Sequence, residues 1–177
     1  MGDYFQTIAD IDATPEEAEA LGARVAAWLV AEGIVRAERT YEMFGKPVYS
    51  PGPRWDDVTE WPEEGGCDGL AVVTGRTVFW GSLGSDGSPV CPHCSAPAAT
   101  APWPEALDGW YATGAAELRC PACDRRIPLP EWTWEDNRFA FAHLGFEIWN
   151  AARLRPEFIA ELGRVLGHRI RTVAGKL

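Results

Sequence analysis

The hydrophobic pattern of this chain predicts two similar units, one at each end. Tyr4 to Ile11 reads as a strand. Thr14-Pro15-Glu16-Glu17 then reads as a helix start: a capping residue, Pro in the first turn, and a Glu three residues after the cap. Leu21, Val25, Trp28 and Leu29 follow at helical spacing, which gives the helix one apolar face. Gly33 can take the left-handed conformation that ends a helix, with Ile34 folding back toward Leu29. Ile34 to Tyr41 is the candidate second strand.

The C-terminal region repeats this plan. Gly145 to Trp149 reads as a strand, Pro156-Glu157 starts a helix with Ile159, Leu162 and Leu166 on its apolar face, and Gly167 closes it. His168 to Val173 is the following strand. Pro15-Glu16 and Leu21-Gly22 recur 141 residues later as Pro156-Glu157 and Leu162-Gly163, and Phe5 and Phe146 keep the same offset. Two β-α-β units predict an α+β, ferredoxin-like body. Between them, Leu70 to Thr74 and Thr77 to Trp80 flank Gly75-Arg76, which predicts a tight central hairpin. Residues 88–130 are rich in Pro and read as an insert. The expected organisation is a first half with hairpin at 1–87, the insert at 88–130, and a second half of the same body at 131–177.

Composition narrows the class. At 177 residues, 46% hydrophobic and with nine Trp, the chain can bury a real core and is not a disordered protein. It has no run of ~20 apolar residues that would span a bilayer, and its N-terminus lacks the basic and apolar regions of a signal peptide. A cytoplasmic, reducing setting is the expectation, and there closely spaced cysteines point to metal before disulfide. The formal charge of −10 is concentrated at the front: residues 1–70 carry 15 acids and 5 bases. Such a field repels phosphate backbones and favours a basic partner, or simply confers solubility.

The strongest chemical signal lies in the insert. Cys91-Pro92-His93-Cys94 and Cys120-Pro121-Ala122-Cys123 are two CPxC knuckles separated by 25 residues. A two-residue spacer lets one turn deliver both thiolates, and four thiolates satisfy tetrahedral zinc. We therefore expect one structural Zn²⁺ on Cys91, Cys94, Cys120 and Cys123. Four thiolates close the coordination shell, which argues against a catalytic ion. The alternative, a pair of redox-active dithiols, needs a knuckle at a helix N-terminus, whereas Pro128 and Pro130 follow soon after the second. Residues 88–130 resemble the zinc-ribbon class. An α+β body with a ribbon insert also resembles small bacterial proteins, and the Ala-, Gly- and Arg-rich composition has an actinobacterial look.

Other candidates are weaker. Cys67 sits in a Gly-rich turn without a neighbouring base, and Asp68 beside it disfavours the thiolate. His143 lies in an apolar run, and His168 follows the second helix, where its positive form suits the helix C-terminus. Neither His has a carboxylate partner evident in the sequence. Trp28, Trp80 and Trp149 read as core. Trp55, Trp61, Trp103, Trp110, Trp132 and Trp134 lie in loops or beside the ribbon, where packing explains most of them. Trp55 and Trp61 adjoin Asp56, Asp57, Glu60, Glu63 and Glu64, and this acidic, aromatic segment is the candidate partner-binding surface.

Three functions follow from these features. The first is a non-enzymatic zinc-binding interaction protein, such as an acidic inhibitor or immunity-type protein. The second is a nucleic-acid-binding ribbon using Arg119, Arg125, Arg126, Arg153, Arg155, Arg169 and Arg171. The third is an enzyme whose site is assembled from scattered groups such as Cys67, His143 and loop carboxylates.

Overall fold

The fold is organised by its first strand, β1 (Tyr4–Asp10), which pairs antiparallel with β9 (Phe139–Trp149) on one side and β10 (Ile170–Lys176) on the other. The computed structural model describes residues 2–39, 41–43, 45–61, 66–81 and 88–177. On the far side of β9 lies β4 (Gly69–Trp80), followed by β3 (Lys46–Tyr49) and β2 (Tyr41–Met43). The result is a six-stranded antiparallel sheet in the order β10-β1-β9-β4-β3-β2. The pairings make β9 and β10 parallel to each other with β1 between them. Likewise β1 and β4 are parallel with β9 between them.

Helices α1 (Ala18–Ala31) and α3 (Pro156–Leu166) cover one face of this sheet. The expected cap of α1 forms as a reciprocal pair. The Glu17 amide donates to Thr14 Oγ1, and the Thr14 amide and hydroxyl both donate to Glu17 Oε2. Gly33 and Gly167 take positive φ of 70° and 74°, and the Ile34 amide bonds back to the Leu29 carbonyl. The buried stripe of α1 is Gly22, Val25, Ala26 and Leu29, with Leu21 and Trp28 at its margins. Gly22 makes that stripe possible. A Cβ there would lie 2.8 Å from Val72 Cγ1 and 3.2 Å from Leu144 Cδ1, so the helix backbone rests directly on β4 and β9. The core beneath is aliphatic: Ile8, Leu29, Leu70, Leu144, Ile148 and Leu162, with Phe146 and Phe158.

Three expectations about the body are corrected. Residues 34–39 do not form a strand, and Tyr41 instead opens β2. Val35 makes one isolated bridge to Pro51, and the edge of the sheet is filled by the β2–β3 pair. Second, the tight central hairpin at Gly75-Arg76 is absent. Thr74 pairs with Leu144 and Thr77 with Ala142, so both flanks stay on β9 and Gly75-Arg76 bulge opposite His143. Gly75 at φ 99° absorbs the extra residue, as bulges require. A two-residue turn and a two-residue bulge look alike in sequence, and the long complementary β9 selects the bulge. Third, Phe5 and Phe146 are not equivalent. Phe146 is buried beneath the helices, whereas Phe5 packs on Trp80 and Trp149 on the opposite face.

Beyond the bulge the β4–β9 pair bends back over that second face. Phe79, Ala140 and Ala142 pack with Ala9, Val73 and Val173. Gly145 leaves the room, since a Cβ there would lie 2.3 Å from the Phe79 ring. Trp80, expected in the core, is 43% exposed at the end of this arm.

Residues 88–134 build a second lobe on the arm. It contains the β5 (Pro89–Val90) and β8 (Thr133–Trp134) pair, α2 (Trp103–Thr113), and the β6 (Glu117–Arg119) and β7 (Arg126–Pro128) pair. Pairing of β5 with β8 carries the lobe a few residues past 130. Its core combines Trp110, Trp132, Trp134, Leu118, Ile127 and Leu129 with Val78 and Phe141 of the arm. Polar ties complete the attachment. Arg171 donates to the Glu131 and Trp132 carbonyls, and Arg169 forks between the Asp12 and Glu131 carboxylates at 2.6–3.0 Å. No described helix is long and apolar enough to cross a membrane.

Candidate metal centre

The two knuckles are built alike. In the first, the Cys91 amide donates to the Ala96 carbonyl and the Ser95 amide to the Cys91 carbonyl. In the second, the Cys120 amide donates to Arg125 and the Asp124 amide to Cys120. Each turn is closed by a non-Gly residue at positive φ, Ser95 at 58° and Asp124 at 63°. Small polar residues visit that conformation at the lowest cost after Gly. This matched requirement for Ser95 and Asp124 escaped the sequence reading, although Ser and Asp directly after a knuckle were the available signal.

The turns bring all four sulfurs together. The ligand atoms of Cys91, Cys94, Cys120 and Cys123 lie within 4.8 Å of one another. Cys91 and Cys123 approach to 3.8 Å, and Cys94 and Cys120 to 3.7 Å. Thiolates ~2.3 Å from a tetrahedral ion stand about 3.8 Å apart, so the cluster has the dimensions of a metal cage. Disulfide contact is far shorter, and all four are free cysteines. At Cys120 backbone dipoles favour the anionic form: the Cys123 amide, then that of Ala122, pulls its thiol down to about 7, whereas desolvation and the other three thiols push Cys94 up to about 12. Cys91 and Cys120 are buried and Cys94 is exposed, so the cage sits at the lobe's surface with its base in the tryptophan core.

The rim is basic. Arg119 stands directly opposite Arg126 across the β6–β7 pair, and both are exposed. Arg119 is bonded to Asp124 at 2.6 Å. Arg125 donates to His93 Nδ1 at 2.9 Å, and both side chains face solvent outside the cage.

The other candidates are dispersed. Burial, aided by Asp68, pushes the Cys67 thiol up to about 12, so it is protonated at neutral pH and packs against the helix-side core. His143 lies opposite the bulge, 5.3 Å from the Trp110 ring, and its Nδ1 has no hydrogen-bond partner among the described residues. Burial first, then the Arg76 cation, pushes its pKa down, so it is neutral. His168 does have a carboxylate partner that the sequence hid. Its Nδ1 lies 2.9 Å from the fully buried Asp10, which also accepts from the Asp12 and Ala13 amides. Only the neighbouring of β1 and β10 brings these two residues together.

In the acidic segment, Trp55 opens a 3-10 turn (Trp55–Val58) and is buried in the helix-side core with Val58. It anchors the segment and is not presented to solvent. Asp56 and Asp57 are exposed, Glu60 is half-buried, and Trp61 is 57% exposed at φ 49°. Glu63 and Glu64 lie outside the described residues.

The chain is thus an α+β protein with a four-cysteine candidate metal centre. Compared with known proteins, it matches no protein family, no curated protein and no solved structure.

Proposed function

We propose that the cage holds one structural zinc ion, and that the protein is a non-enzymatic interaction module. The observation that carries the metal reading is the four-sulfur cluster with tetrahedral spacing. Soft thiolates in a tetrahedral set select zinc over hard cations. Four protein ligands leave no open position for water, so the ion's work is to fold the lobe. Strand order β10-β1-β9-β4 with both helices on one face supports a ferredoxin-like body, to which β2–β3 and the lobe are additions.

On this reading Asp56, Asp57 and Trp61 meet a basic protein partner, with Glu60, Glu63 and Glu64 extending the charge. An exposed Trp beside carboxylates supplies the large contact area and the charge that an inhibitor or immunity-type protein needs. Elemental analysis of the purified chain tests the first step, with one zinc per chain expected. An affinity pull-down with and without nuclease tests the second. A stoichiometric protein partner should survive nuclease, and reversing Asp56 and Asp57 together should release it. Undiminished retention of the partner by that variant would sink the interaction surface while leaving the zinc reading intact.

A second reading has one observation in its favour: Arg119 and Arg126 face each other with Arg125 beside them, a like-charge cluster suited to phosphate. The net charge of −10 opposes it. Retention of nucleic acid that falls steeply with salt would favour this reading.

A further inference from the structure

A second site lies on the sheet face away from the helices, beneath the bent-back arm. Its floor comes from cross-strand neighbours on β1 and β9, Phe5 beside Trp149 and Thr7 beside Glu147. Trp80 on the arm closes one side, and together they enclose a cavity of about 260 Å³. Phe5 packs edge-on to Trp80 at 5.5 Å and tilted against Trp149 at 5.2 Å, so the three rings form one cluster, with Phe5 and Trp149 largely buried and Trp80 43% exposed. In this cavity stands a carboxylate. Glu147 is only 12% exposed, and both its oxygens are bonded by Lys46 Nζ, at 2.9 and 2.8 Å.

That ion pair is unusual in its setting. A half-buried carboxylate among aromatic rings is costly unless paired. The two partners are also unequal. Glu147 is fixed in the middle of a central strand, whereas Lys46 starts the short strand β3 and its side chain is 38% exposed. The ammonium thus enters from the mouth on a flexible stem and ends at an anionic spot beside aromatic faces. Carboxylate plus aromatic wall is the chemistry that recognises an organic cation. The protein's net charge of −10 raises the local concentration of such cations and lowers that of anions.

We propose that this cleft is a binding site for small primary ammonium compounds with an apolar or aromatic body. The ligand's ammonium takes the place of Lys46 on Glu147, and its body lies along Phe5, Trp80 and Trp149. Lys46 is then a tethered competitor that keeps Glu147 neutralised when the cleft is empty. The site is independent of the four-cysteine centre and of any protein partner.

The probe is 2-phenylethylammonium, titrated against the whole protein by calorimetry and by tryptophan fluorescence, with 3-phenylpropionate as the anion of matching shape. We expect saturable binding of the ammonium and none of the carboxylate. Lys46→Ala removes the competitor, so affinity should rise about tenfold if the internal pair is closed about nine-tenths of the time. Glu147→Gln should abolish binding, and Trp80→Ala, at the exposed rim, should weaken it in a protein whose melting temperature confirms folding. Two results would overturn the proposal. One is no ammonium binding at millimolar concentration by either wild type or Lys46→Ala. The other is binding of 3-phenylpropionate that Lys46→Ala removes, which would make Lys46 the recognition group.

Discussion

In the body, Ile8, Leu29, Leu70, Leu144, Ile148 and Leu162 are buried between long strands and two helices. In the lobe the large buried side chains are Trp110, Trp132 and Trp134, set among strands of two or three residues and two cysteine turns. The difference is one of how backbone groups are satisfied. Long elements pair their own amides and carbonyls, so aliphatic burial alone can hold them. Short strands leave fewer ladder bonds. Such a region needs staples, here a four-cysteine candidate metal cage, bulky indoles and arginine ties to the body.

The sharpest way to break this comparison is to remove the metal proposed for the four-cysteine centre. In small metal-folded peptides zinc binding contributes about 10–16 kcal/mol. Stripping the metal, or Cys120→Ser, should therefore release the lobe. Hydrogen exchange should show Leu118 and Ile127 losing protection while Ile8 and Phe146 keep theirs. Simultaneous loss at all four would show that lobe and body fold as one unit. Next in size is a truncation in the body. Phe146→Ala should cost about 3–5 kcal/mol, read by denaturant unfolding, with metal content unchanged. Loss of metal in that variant would show that the lobe depends on the body's core.

The smallest effect concerns the seam. Arg169 is more than half exposed, so solvent screening limits Arg169→Ala to about 0.5–1 kcal/mol. Its hydrogen bonds hold Asp12 and Glu131 below their ordinary values of 3.8 and 4.5. Depressed carboxylates stabilise the fold above those values and lose that contribution as pH falls through the folded-state values. The gap between wild type and Arg169→Ala, measured by melting temperature, should thus be full above about pH 5 and shrink below pH 4. A gap independent of pH would show that the arginine acts through packing alone.

Legibility in the sequence followed locality. The capping of α1 by Thr14 and Glu17, the glycine stops at Gly33 and Gly167, and the cysteine knuckles all depend on residues a few positions apart. Each could be read from its own segment. The role of Gly75 could not, because a turn and a bulge need the same backbone freedom and differ only in what β9 does alongside. The burial of Trp55 and exposure of Trp80 were equally hidden, since both depend on which surface arrives from elsewhere in the chain.

The sequence by itself determined the units: two strand–helix modules, a cysteine-bearing insert, and an acidic front half. Their physical basis is short-range, in helical periodicity, capping bonds and the reach of a two-residue cysteine turn. Only the tertiary structure decided how they meet. Placing β1 between β9 and β10 brought Asp10 to His168 across 158 residues. The fold of the arm at Gly75 put Trp80 over Phe5, and the β3 edge carried Lys46 to Glu147. Those meetings depend on strand order and on the bend of one long pair. Both are chosen by the burial balance of the whole chain, which no single segment contains.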